Sequence, residues 1–252
     1  FRKWWGNQEY VVNWEHDGAE IQEFRDAGGK QKSRPQNIDS YFKPAISWSR
    51  VSSGEPSFRF TSEGFIPNDV APVILGSDLE RLAQLNSTAT QRILESLAAT
   101  MHFEVGQLAE LPIIDFGVPD DNSKSASIAD GLIELSRGDW NSYELSWGFV
   151  GSPLMECTQP NESLECWWND STRAGREAQE LEEENNRYWA CVYGLEDEVP
   201  TEVPLNRVSL ASNPWFRYAP AKGEERSEAE YRGLFAADAV RDLISYAVGC
   251  MF

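Results

Sequence analysis

The stretch from Glu162 to Tyr193 constrains the fold more than any other, because it is long, free of proline and patterned for a helix. Ala174, Ala178, Leu181, Tyr188, Trp189 and Val192 recur near helical spacing and define its apolar side, with Gly194 as the expected C-cap and Pro200 as a stop. A helix of this length has to lay that side against other elements, so the rest of the chain must supply partners for it. The acidic run Glu180 to Glu184 within it reads as a solvated face. Two further helices are expected around it. Ile128 to Ser136 is a short amphipathic stretch. Ser227 and Glu230 form a capping box that opens a helix with Tyr231, Leu234, Phe235, Leu243, Ile244, Ala247 and Val248 on one face.

The first half of the chain is patterned differently. Glu9 to Asn13, Ala45 to Arg50, Ser57 to Phe60, Gly64 to Ile66 and Pro72 to Leu75 are short apolar or alternating runs bounded by Gly and Pro, the signature of strands. Between the first two lies a polar stretch from Glu15 to Gln36, whose Gly28 to Pro35 segment is too flexible and charged for a core. Ser77 and Glu80 form a capping box for a helix carrying Leu79, Leu82, Leu85, Ile93 and Leu97, interrupted at Asn86-Ser87-Thr88. Met101 to Gly106 reads as a strand entering a short helical turn that Pro112 ends, and Asp120 to Ser127 as a linker. The expected fold class is α/β (α+β): a mixed-sheet domain over residues 1–120, then an acidic α-helical domain over 125–252.

Charge bears on what such a chain can bind. The net charge is −19, whereas a free-standing DNA-binding domain is usually basic, because affinity comes largely from neutralising phosphates. The charge is uneven. Residues 1–60 hold nine Lys/Arg against eight Asp/Glu, and the remaining 192 hold thirteen against thirty-three. Any DNA contact is therefore expected in the N-terminal part. No run of about 18 apolar residues occurs, so no membrane span is expected, and the scattered cysteines lead to the expectation of a cytoplasmic location. Cys157, Cys166, Cys191 and Cys250 form no C-x-x-C pair, and with only His16 and His102 beside them they argue for reduced thiols over a zinc site. The start lacks a Met and the end stops without a polar tail, so both ends read as cut from something longer.

The chain carries no recognisable catalytic centre of its own. An adenine methyltransferase needs a Gly-containing turn after a strand for S-adenosylmethionine, and an Asn/Asp-Pro-Pro-Tyr/Phe loop to hold the base. Neither is present, since Asn68-Asp69 and Asn213-Pro214-Trp215 miss the pattern. Nuclease D…E-x-K spacing, a Walker loop, H-E-x-x-H and G-x-S-x-G are also missing. What does suit nucleic-acid contact is a set of basic and hydroxyl residues. Lys30, Lys32 and Arg34 sit in a flexible loop that could order on a phosphate backbone. Ser49, Arg50, Ser52 and Ser53 pack hydroxyls and a guanidinium into a strand-to-turn segment, matched to base edges and phosphates. Arg59, between Phe58 and Phe60, should point away from two core aromatics and be exposed or paired. His102 reads as a packed histidine. A solvated loop and an ordinary hairpin turn account for the same residues equally well.

Several phrases resemble one family. Phe1 to Trp14 resembles the junction that follows the catalytic domain of PglX, the adenine-specific DNA methyltransferases of BREX phage-defence systems. Ile46 to Ser49 with Ser52 to Gly54, then Ser57 to Arg59 and Gly64 to Ile66, resemble its recognition segment. Leu85 to Ser87, His102 to Leu108, Leu111 to Ile113 and Ile244 to Phe252 resemble its helix, closing turn and later helical region, whereas residues 140–225 carry little beyond Tyr193 to Asp197. The resemblance implies the target-recognition and C-terminal helical part of such an enzyme, acting on double-stranded DNA. The S-adenosylmethionine-binding domain would lie N-terminal to it, and other BREX proteins would be partners. Related recognition domains occur in type I specificity subunits and in single-chain restriction–modification enzymes. Two alternatives stay open: the specificity part of such a single-chain enzyme, and a protein-interaction module of the same defence complex.

Overall fold

In a computed structural model of the chain, residues 1–52, 54–97, 103–114 and 123–251 are described. Three short strands form the only sheet among them: β1 (Ala45–Trp48) lies between β2 (Phe58–Thr61) and β3 (Val73–Leu75), antiparallel to both. Trp48 stands opposite Phe58 and Ile46 opposite both Phe60 and Ile74. The N-terminal segment extends the outer edge of β2 through a parallel bridge between Trp4 and Arg59, closed by Trp4 N to Phe58 O at 2.9 Å and Phe60 N to Trp4 O at 2.8 Å. Pairing around β2 is thus mixed, and the fold is α+β with helix predominating.

Two expected strands are absent. Glu9 to Asn13 finds no ladder partner, and Tyr10 stands 89% exposed there, because alternation alone does not make a strand without a neighbour to pair with. Gly64 to Ile66 is a turn instead, with Gly64 at φ +98° and Phe42 N donating to Phe65 O. The stretch after Asn13 gains an irregular helix, α1 (Glu15–Glu23), whose first turn holds His16, Asp17 and Gly18 in left-handed conformations.

The helical layer begins with α2 (Leu79–Leu85), capped by Asp78 and not by Ser77. The Asp78 carboxylate accepts from Arg81 N at 2.8 Å, one position nearer to the first turn than the expected box. The break at Asn86-Ser87 holds, and α3 (Thr88–Leu97) follows. Met101 and His102 lie outside the described residues. Phe103 and Glu104 form no strand; they lead into α4 (Val105–Ala109), where Glu104 and Gln107 make a capping box. The linker's described residues already start α5 (Lys124–Asn141), which is longer than its amphipathic core suggested. Then come α6 (Pro160–Tyr193), α7 (Pro214–Arg217) and α8 (Glu228–Gly249), with Gly194 at φ +66° closing α6 and the Ser227–Glu230 box opening α8. No helix among the described residues is long and apolar enough to cross a membrane.

One hydrophobic core runs through both halves of the chain. Trp4, Ile46, Trp48 and Phe58 of the sheet pack with Leu82, Leu85 and Leu94 of α2 and α3, with Leu132 and Ile133 of α5, and with Ala178 of α6. Each large apolar side chain fully buried there contributes about 1.5–3 kcal/mol. A second cluster sets Trp167 and Trp168 of α6 against Tyr231, Phe235 and Ala239 of α8. The middle of α6 departs from its sequence reading. Glu182, expected on a solvated face, is 3% exposed and accepts hydrogen bonds from Lys3 Nζ at 3.0 Å and Trp4 Nε1 at 2.8 Å. Arg2 is likewise buried against Asp139 at 2.8 Å, and that carboxylate also takes the Ala211 and Ser212 amides at 2.7 Å each. Buried charges persist only when paired and hydrogen-bonded, and these two pairs lock the N-terminal segment onto α5 and α6.

Candidate nucleic-acid interface

The turn that joins β1 to β2 places the hydroxyl-rich segment at one end of the sheet. Ser49 follows Trp48 at the end of β1, Ser57 precedes Phe58 at the start of β2, and Arg59 lies within β2 opposite Ser47. Strand alternation does turn Arg59 away from Phe58, but that face is covered by the N-terminal segment. Arg59 is consequently 5% exposed. Its guanidinium donates from Nη1 to Arg2 O at 3.1 Å and Ser57 Oγ at 3.2 Å, and from Nη2 to Ser49 Oγ at 3.2 Å. No carboxylate among the described residues pairs with it. Burial first, and then the neighbouring Arg2 cation, pull its pKa down to about 10.

Beside Ser49 and Ser57 opens a cavity of about 450 Å³, lined also by Ser52, Glu55, Arg207 and Phe216. Ser52 Oγ holds the turn by donating to Glu55 O at 3.2 Å and accepting from Gly54 N at 3.3 Å. Arg207 and Glu55 form an ion pair of 2.5 Å at the lining. Arg207 and Phe216 arrive from far along the chain. Their place here depends on the packing of α5 and α6, and no spacing in the sequence signals it. Ser53 lies outside the described residues.

The other candidates are placed elsewhere. Arg50 is held by two acids, with Nε 3.0 Å from Glu104 and Nη1 3.4 Å from Asp69. Lys30, Lys32 and Arg34 are exposed, but the first two belong to a closed hairpin and not a loose loop, with Lys32 N donating to Phe24 O at 2.9 Å. Asp26 Oδ1 takes the Gly28 and Lys30 amides at 3.0 and 2.9 Å, and Gly29 at φ +81° supplies the turn. Lys32 pairs with Asp26 at 3.3 Å, whereas Lys30 and Arg34 have no ion partner among the described residues. Of the nine basic residues in 1–60, Arg2, Lys3 and Arg59 are buried, which leaves six to face the eight acids there. The N-terminal part therefore has no net basic face, and local geometry has to carry any anion contact.

No family model matches the chain. Over its whole length it is 31% identical, across 264 aligned residues, to the adenine-specific methyltransferase PglX of Lacticaseibacillus casei (strain Zhang), covering 20% of that protein. It is 27% identical across 256 residues to the adenine-specific methyltransferase BrxX of Escherichia coli O9:H4 (strain HS), covering 99% of this chain and 20% of that protein. The alignments include residues 140–225, where the family phrases were sparse. The resemblance to PglX-type adenine-specific methyltransferases thus holds from one end of the chain to the other, over a stretch about a fifth as long as those relatives.

Proposed function

We propose that this chain is the DNA-recognition part of a site-specific adenine methyltransferase that acts in phage defence, with the methyl-transfer machinery outside it. The observation that carries the reading is the full-length similarity to two proteins named as adenine-specific methyltransferases. Residues 49–59 would meet the DNA through the hydroxyl-lined cavity, and Lys30, Lys32 and Arg34 would add phosphate contacts from their own hairpin. S-adenosylmethionine would be bound by the rest of such an enzyme. The described residues here do not fit it: three short antiparallel strands offer no parallel strand-to-helix turn for a nucleotide-like cofactor, so no step through it is derived.

A second reading is favoured by one surface. Val240, Ile244 and Val248, spaced four apart on α8, are exposed while Tyr231, Phe235 and Ala239 of the same helix are buried. An apolar row on an acidic domain suits protein contact, and the helical half would then brace the recognition part against the catalytic domain or another defence protein. Methylome sequencing separates the two. The source bacterium is compared with the parent gene intact, deleted, or carrying residues 1–120 of a related strain. Loss of one adenine-containing motif on deletion and a changed motif on the swap support recognition. A motif lost on deletion but unaltered by the swap supports the bracing role alone, and no gene-dependent motif overturns both.

A further inference from the structure

Ser49 and Ser57 have hydroxyl protons with nowhere to go inside the fold. Each Oγ accepts from the Arg59 guanidinium at 3.2 Å, and among the described residues neither donates a hydrogen bond in return. A serine hydroxyl has one proton to give, and accepting from a cation polarises it toward a further acceptor. Both residues line the same 450 Å³ cavity and both bond the same guanidinium, so they border one space open to an acceptor. Behind them lies a buried positive charge without a carboxylate, a costly arrangement unless an anion completes it. The one acid at the lining, Glu55, is already neutralised by Arg207.

We propose that this cavity is an oxyanion site for a phosphate group, with Ser49 and Ser57 as the donors and Arg59 as the buried counter-charge behind them. A phosphate presents several acceptor oxygens in a tetrahedral array, which two hydroxyls flanking the adjacent ends of β1 and β2 can share. The volume exceeds that of an ion and leaves room along Phe216 for the attached sugar or base. The inference rests on the reading that this end of the sheet meets DNA, which makes the phosphate one of the DNA backbone.

The test has two arms. In the first, the chain is titrated with inorganic phosphate, acetate and chloride at constant ionic strength, and thermal unfolding is followed. Phosphate should raise the midpoint and the other two should not. Ser49→Ala should weaken phosphate binding about tenfold, and Ser49→Thr, which keeps the hydroxyl, should restore it. The Ser49→Thr variant also controls for misfolding of Ser49→Ala. No phosphate effect on the unaltered chain overturns the proposal, and an equal effect of acetate overturns the phosphate class in favour of a carboxylate. In the second arm, the longer protein that carries this chain binds a short duplex with and without Ser49→Ala. A roughly tenfold loss supports the DNA backbone as the source. Unchanged duplex affinity alongside lost phosphate binding overturns that source and leaves a free phosphate in the cavity. A phosphate response that the unaltered chain shows and Ser49→Ala loses, together with a methylated motif that survives the 1–120 swap, sinks the recognition reading while the site stands.

Discussion

Replacing Glu182 by alanine tests whether the buried ion pair is what fastens the N-terminal segment to α6. The carboxylate is 3% exposed and accepts from both Lys3 Nζ and Trp4 Nε1. Alanine leaves the Lys3 ammonium, itself 8% exposed, without a partner, which costs about 3–5 kcal/mol. It also leaves the indole N–H of Trp4 unsatisfied, for about 1–3 kcal/mol more. The two penalties share one site and do not add in full, so a total near 5 kcal/mol is expected. For a chain of this size that corresponds to a midpoint about 10–20 °C lower. Glu182→Gln keeps an oxygen for Trp4 and should recover part of the loss. The double variant Lys3→Met with Glu182→Leu removes both charges and should lie far closer to the unaltered chain than Glu182→Ala does. Circular-dichroism melts of the unaltered chain, Lys3→Met, Glu182→Leu and the double variant form a cycle whose coupling should exceed 1 kcal/mol. A fall of under 3 °C for Glu182→Ala, or a coupling near zero, would show that the pair behaves as an exposed one.

Three further outcomes follow from particular contacts. Trp48→Ala removes a fully buried ring and the Trp48 Nε1 bond to Phe103 O at 2.8 Å, and denaturant unfolding should show a loss of about 3–5 kcal/mol. Gly194→Ala meets no atom within 4 Å, so its cost at φ +66° is backbone strain alone, about 1 kcal/mol in the same assay. Asp242 has its carboxyl pKa raised, by burial first and then by Asp238 and Glu144 against the opposing Arg217, and its Oδ2 is buried without a hydrogen-bond partner. A raised folded value means that its stabilising share is present at low pH and lost as pH rises through that value. Asp242→Asn should therefore raise the melting midpoint at pH 7, with the gain shrinking toward pH 4; a constant gain across that range would refute the assignment.

Local signals carried the longer helices, as the case of α6 shows. Its apolar spacing, Gly194 and the absence of proline beyond its first residue act within the segment itself, and the same holds for the Ser227–Glu230 box of α8 and the break at Asn86-Ser87. The strands were legible only where partners existed. Ala45 to Trp48 and Phe58 to Thr61 pair with each other, but Glu9 to Asn13 carried a similar pattern and found no edge. A strand needs a neighbour whose position a short run cannot encode.

The candidate site shows the same division. That hydroxyls and a guanidinium cluster between Ser49 and Arg59 is plain from the chain order, and so is the turn that brings the ends of β1 and β2 together. That Arg59 is buried, that Arg2 and Lys3 are consumed by Asp139 and Glu182, and that Arg207 and Phe216 complete the cavity were decided by tertiary structure alone. The physical reason is that burial and charge pairing depend on which distant segments meet. Lys3 and Glu182 are 179 residues apart, and no local pattern distinguishes the carboxylate that will be buried against an ammonium from its more exposed neighbours in the same acidic run.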